Sequence, residues 1–240
     1  MEVVGSVFCI QLVRTKGHKA GYYVQTCCPK QKQGRSGAVP RFTEFGFGVP
    51  WVMGFFHQDG THDGDTAAEI VANHLTGWSD EAALAVRRDA RTLGNLPSET
   101  LEVLWNAGAE YLPSFETRLG SGAEWTRTVV GLCDARLSTE PAVRPLSGAD
   151  TDDGTACLDA VVTEIEAARF LTAEVRAALV DCARRCTPDL AFRVLLRAMG
   201  CAAPKASLSP DQYRRLEAVG SALQYGEFVV DNVRFLVEEA

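Results

Sequence analysis

Residues 55–75 read FFHQDGTHDGDTAAEIVANHL, and the reading of this run decides the rest of the chain. Its first part is a polar turn after two phenylalanines, with His57, Gln58, Asp59, His62, Asp63 and Asp65 spaced by Gly60 and Gly64. Its second part is a helix start. Thr66 followed three residues later by Glu69 forms a capping box, in which each side chain satisfies a backbone N–H that the first helical turn leaves orphaned. From here to the C terminus the apolar pattern is helical, and no strand-type alternation competes with it.

Ser79 caps the next helix, whose apolar stripe is Ala83, Val86, Ala90 and Leu93 at spacings of three and four. Pro97-Ser98-Glu99 opens another, carrying Leu101, Leu104, Trp105 and Gly108. Ser121 and Glu124 make a second capping box ahead of Trp125, Val129, Leu132, Cys133 and Leu137. Residues 138–154, STEPAVRPLSGADTDDG, then lose every apolar repeat and are rich in Pro, Ser, Gly and Asp, the composition of a linker. Beyond it Leu158, Val161, Val162 and Ile165 mark one helix. Thr172 caps a second, with Val175, Leu179, Cys182 and Cys186 on a stripe. Thr187-Pro188 starts a third with proline at its favoured first position. Ser209-Pro210-Asp211-Gln212 repeats that logic with a capping box from Ser209 to Gln212, and residues 227–239 carry Val229, Val233, Phe235 and Leu236. The expectation is an all-α protein: an irregular or disordered leader over 1–41, a helical bundle over 42–137, a flexible linker over 138–154 and a second helical bundle over 155–240.

Charge divides the chain in the same places. Residues 1–41 hold seven Lys or Arg against one acid, Glu2, whereas residues 42–240 hold 17 basic and 30 acidic residues, a net of −13. After Lys32 the next lysine is Lys205. The leader reads as a solvated basic tail or as an upstream extension, with a basic arm for nucleic acid as the alternative. The acidic remainder argues against nucleic-acid binding, which needs phosphate neutralisation, and suits a basic protein partner such as a nuclease. No apolar run approaches the roughly 18–20 residues that cross a bilayer, and no signal-peptide pattern is present, so the expectation is a soluble cytoplasmic protein. The eight cysteines do not form a disulfide framework. Cys133, Cys182 and Cys186 fall on apolar helix faces, where a free thiol packs as a small hydrophobe.

The 57–65 turn is also where chemistry would concentrate. His57, Asp59, His62, Asp63 and Asp65 have the donor types of a metal-dependent hydrolase. For zinc, a third strong ligand at a suitable spacing is not specified. As a calcium loop from Asp59, the run puts Gly64 sixth but Ile70 twelfth, where a bidentate Glu is needed. The competing reading is a structural turn that delivers the chain to the Thr66 cap. No histidine follows His74, and nucleotide-binding and serine-nucleophile patterns are absent. On the residues alone the chain is not an enzyme and carries no cofactor.

The run Phe55-Phe56-His57-Gln58-Asp59, then Gly64 and Asp65-Thr66, resembles the signature of CdiI-type immunity proteins of contact-dependent growth inhibition. The resemblance extends over about residues 42–137, because Leu96-Pro97-Ser98-Glu99, Tyr111-Leu112-Pro113 and Glu124-Trp125 follow in the family's order. It departs at Gly60, where the family has an aromatic residue; Trp51 or Trp78 is the nearby replacement. A looser resemblance, to MafI-type immunity proteins, covers about residues 157–237 on Thr187-Pro188-Asp189-Leu190-Ala191, Leu208-Ser209-Pro210-Asp211 and Leu216-Glu217-Ala218-Val219-Gly220. What these resemblances imply is an antitoxin that binds a cognate bacterial toxin stoichiometrically and non-covalently. Phe55, Phe56, His57, Gln58, Asp59 and Thr66 would then be family-motif residues with a structural role. Asp80, Glu81, Glu99, Glu102 and Glu110, which lie off the apolar stripes, are the expected toxin-facing acids.

Overall fold

The computed structural model describes residues 39–58, 62–140, 142–203 and 205–238, so the leader up to residue 38 and the Asp59–Thr61 tip of the quoted turn lie outside the described residues. Among the described residues ten α-helices run in chain order: α1 Val49–Met53, α2 Ala67–Thr76, α3 Asp80–Leu93, α4 Ser98–Gly108, α5 Gly122–Ser138, α6 Leu158–Ala167, α7 Ala173–Arg185, α8 Pro188–Cys201, α9 Pro210–Ala222 and α10 Glu227–Asp231. A π turn at Phe115–Leu119 and short 3-10 turns join them. Among the described residues no strand forms, apart from an isolated parallel bridge between Leu208 and Val237. The all-α expectation holds.

The local signals account for most of the helix starts. Thr66 accepts from the Glu69 amide while the Glu69 carboxylate takes the Thr66 amide, and Ser121 with Glu124 repeats the arrangement. Ser79, Thr172, Thr187 and Ser209 each accept from an amide three residues on. At Ser209 the cap is one-sided: its hydroxyl takes the Gln212 amide, without the return bond expected of a box.

Packing differs from two bundles on a string. The described residues from Val39 to Glu238 form one compact unit with a continuous apolar core. Helix α5 packs on α2, α3 and α4; α4 also packs on α7 and α8; α1 bridges α3 and α8. Helix α8 is buried almost all round, from Pro188 through Leu196, as expected of a helix at the centre of a bundle rather than on its surface. It buries two charges with its hydrophobic residues, Asp189 and Arg193.

Those charges belong to a node that ties three parts of the chain together. Arg193 bonds Asp189 at 2.6 Å and Asp89 of α3 at 2.7 Å. Arg41 bonds Asp189 at 3.0 Å and the Leu223 carbonyl at 2.8 Å, and Tyr225 donates its hydroxyl to Asp189 at 2.9 Å. Arg88 covers Asp89 at 2.9 Å from the side nearer solvent. The Phe47 ring packs beneath the Arg193 guanidinium at 4.2 Å. Gly48 turns the backbone into α1 at φ +69°; a Cβ there would lie 1.8 Å from the Asp89 carboxylate, so glycine serves both the backbone angle and the close approach. Arg41, counted above with the basic leader, is therefore a core residue, with a side chain 1% exposed.

The expected flexible linker is likewise docked where it is described. Ala149 and Asp150 are buried. The Ala149 amide bonds the Val39 carbonyl at 3.1 Å, the Phe42 amide bonds the Asp150 carboxylate at 2.9 Å, and Arg88 bonds the Asp150 carbonyl. The Asp189 amide donates to the Asp153 carbonyl at 3.0 Å. Gly154, at φ +74°, lets the chain pass so close that a Cβ would meet Leu223 at 2.6 Å. The turn-forming composition thus builds a fitted crossover over residues 148–154: Asp and Gly supply turn geometry and side-chain caps as readily as flexibility.

Candidate functional site

Helix α4 turns Leu101, Leu104, Trp105 and Gly108 into the core. The spacing that sends these inward leaves Glu99, Glu102 and Asn106 on the opposite face, with Glu110 just past its end. On that side α4 and α7 border an open groove of about 550 Å³. Val103, Ala107 and Val175 form its apolar floor and Glu99, Glu102 and Glu174 its rim. Glu99, Glu110 and Glu174 are exposed. Glu102 is half-buried, and its carboxylate accepts the Gly122 amide at 3.0 Å, the first turn of α5, where an acid complements the helix dipole.

Three of the five acids expected at an interface, Glu99, Glu102 and Glu110, are thus brought to one side of α4, and Glu174 joins them from a helix the sequence argument left out. Asp80 and Glu81 are not on that face. They occupy the first turn of α3, and Asp80 is engaged by Arg136 of α5 at 3.2 Å, itself anchored on the Trp78 carbonyl. Asp80 is therefore a pin between helices.

The family-motif residues form the other polar region. Phe55 and Phe56 are buried. Phe56 meets Trp125 edge-on at 6.0 Å, and its carbonyl takes the Tyr111 amide at 3.0 Å, which fixes the chain after α4 to the chain after α1. Phe55 stacks on the His74 ring at 4.0 Å and meets Trp78 edge-on at 5.2 Å, while Trp51 and Trp78 stack face to face at 3.7 Å. His57 is half-buried, Gln58 is exposed, and Thr66 is the α2 cap. Asp59 and Gly60 lie outside the described residues.

Two relationships here were not anticipated. His74 Nε2 sits 3.1 Å from the Asp63 carboxylate, and the Asn73 amide group donates to the Asp63 carbonyl at 2.7 Å, so α2 holds the far limb of the turn. The aromatic stack joins α1 to the segment after α2, using the two tryptophans noted above beside Gly60. Among the described residues no group of three His, Cys, Asp or Glu is placed to hold a metal ion; His62 is exposed and Asp63 is committed to His74.

The buried node escaped the sequence reading almost entirely. A signal was present in Asp189 and Arg193, charged residues four apart inside the apolar run of TPDLAFRVLL, on positions that should face the core. Burial pushes the Asp189 carboxyl upward, and the charges of Arg193 and Arg41 overcome this and hold it below its ordinary value. Burial and the facing Asp189 carboxylate push the Tyr225 hydroxyl well up, so it serves as a donor in the node. These groups are enclosed and bonded to one another, with only Arg41 Nη1 left without a partner, which suits them to holding helices together rather than to meeting a substrate.

No helix among the described residues is long and apolar enough to cross a membrane. Comparisons with protein-family models, with curated proteins and with solved structures give no match for this chain.

Proposed function

We propose that this chain is an immunity protein of the CdiI type, an antitoxin that neutralises a basic bacterial toxin by stoichiometric, non-covalent binding in the cytoplasm. The observation that carries the reading is the acid-rimmed groove between α4 and α7. A floor of Val103, Ala107 and Val175 under Glu99, Glu102 and Glu174 offers apolar contact area to the aliphatic stems of Lys or Arg. The carboxylates meet their charged heads. An excess of acids over residues 42–240 adds a long-range field that speeds encounter with a basic partner. The order of motifs over residues 42–137 supports the same reading independently of the groove. The second set of motifs, over 157–237, supports a chain assembled from two immunity-type segments, here sharing one core.

Co-expression with a basic toxin encoded by a neighbouring gene tests the proposal. Relief of growth arrest together with a one-to-one complex on gel filtration is the expected result. Persistent arrest with no complex, from a chain that is folded by circular dichroism, would remove the reading.

A further inference from the structure

The C-terminal turn of α7 carries a pair of thiols that the proposed binding role does not use. The Cys186 amide donates to the Cys182 carbonyl at 2.9 Å, so the turn is closed and the two Cα atoms stand roughly 6 Å apart, within the range that a disulfide spans. Cys186 is the cap of α7, at φ −108° and ψ −107°, and has left the helical backbone geometry that would otherwise hold the two side chains parallel. Cys182 is fully buried, whereas Cys186 is half-buried. The Cys186 thiol donates to the Thr92 carbonyl of α3 at 3.2 Å.

The other described cysteines behave differently. Burial pushes the Cys133 thiol up to about 12, and it raises Cys157 and Cys201 as well. Cys186 moves the opposite way. The nearby Cys182 thiol pulls it below its ordinary value against the opposing effect of burial, and the Arg185 charge adds to the pull. A more acidic, more accessible thiol beside a buried one is the arrangement of an attacking and a resolving cysteine.

We propose that Cys186 and Cys182 form a dithiol redox site that reacts with low-molecular-weight disulfides of the glutathione class. Cys186 loses its proton to solvent, which releases its sulfur from the Thr92 carbonyl, since a thiolate has nothing to donate. The thiolate attacks one sulfur of the added disulfide; a bond forms from Cys186 Sγ to that sulfur, the original S–S bond breaks, and the leaving thiolate takes up a proton. Cys182 then loses its proton and attacks Cys186 Sγ, and the second small thiol departs and is protonated. The two protein thiols lose two electrons in all, and one small disulfide becomes two small thiols. The product links the last turn of α7 to itself and removes the tie between Cys186 and α3.

Trypsin makes the site easy to read, because Arg176, Arg184, Arg185 and Arg193 place the two cysteines on different peptides, 177–184 and 186–193. The full chain is incubated with glutathione disulfide, alkylated in denaturant and mapped without reduction. The expected result is a disulfide-linked pair of these peptides. With Cys182→Ser the same treatment leaves a glutathione adduct on 186–193. Unmodified thiols at both positions, or an adduct on Cys186 without the link in the unsubstituted chain, would overturn the proposal. Labelling of the unsubstituted chain with iodoacetamide gives a second readout that does not require the variant to fold. Cys186 is expected to react about ten-fold or more faster than Cys133, and equal rates would also overturn it.

Discussion

Carboxylates serve two regions of this molecule under opposite rules. Around α8, Asp89 and Asp189 are 2% exposed on their side chains and held by three arginines and a tyrosine. Along α4 and α7, Glu99, Glu110 and Glu174 face water. A buried charge must be matched atom by atom, because a partner removed leaves an ion in a medium that cannot solvate it. An exposed one contributes little to folding and remains free to meet something else. The comparison teaches that acidic residues in one chain, with an overall formal charge of −7, are not one population. The node is where stability is to be sought, and the groove is where the proposed recognition is to be sought.

The sharpest way to break this contrast is Arg193→Leu. It removes the one cation shared by Asp89 and Asp189 at under 3 Å, and the expected loss is about 3–5 kcal/mol in urea unfolding. A loss under about 1 kcal/mol would mean that the node is not what joins α3 to α8. Gly48→Ala comes next. It forces a side chain into the left-handed region and against the Asp89 carboxylate, and strain of the backbone alone costs about 1–3 kcal/mol. An unchanged unfolding midpoint would show that the segment before α1 does not press on the node.

Acid titration sharpens the comparison within the buried set. Asp189 has a folded-state value below its unfolded one, so its contribution is present above the ordinary carboxylate range and is lost as pH falls through the depressed value. Asp150 is displaced the other way: burial raises it, over the opposing bond from the Phe42 amide and the Arg41 and Arg88 charges. Its contribution therefore grows as pH falls through the raised value. Unfolding midpoints against pH should show the acid loss diminished in Asp189→Asn. In Asp150→Asn the gain just above the ordinary carboxylate range should disappear. Curves that superimpose on the unsubstituted protein would contradict both assignments. The smallest effect on folding is expected at the exposed acids on α4, just past its end and on α7. Joint reversal of Glu99, Glu110 and Glu174 to lysine should move stability by no more than about 0.5 kcal/mol per site while slowing association with a basic toxin, and added salt should slow it in the unsubstituted chain. A large stability loss, or association indifferent to both treatments, would erase the distinction between the two regions.

How far each region was legible in the residues follows from the range of the forces involved. The caps at Thr66, Ser79, Ser121, Thr172, Thr187 and Ser209 each join a hydroxyl to an amide three residues on, and a pattern of that span is written in adjacent letters. The α4 face was legible for the same reason, since helical periodicity that buries Leu101, Leu104 and Trp105 also exposes Glu99 and Glu110. The Asp80 pin was not, because Arg136 lies 56 residues away and no local rule pairs them. Nor did any local feature foretell that Glu174 would face α4.

What the sequence by itself determined is the helical class, the places where most of the helices begin, and the charge and apolar character of each helix face. Propensity, capping and periodicity act over one or two turns and need no knowledge of the rest of the chain. Only the tertiary structure decided that the two halves share one core, that Arg41 belongs to it and that residues 148–154 of the expected linker are fitted rather than loose. Arg41 reaches Asp189 across 148 residues and Arg193 reaches Asp89 across 104. Such pairs exist because burying α8 among α1, α4, α6 and α7 takes its charges out of water, and each must then find an opposite charge wherever the fold has placed one.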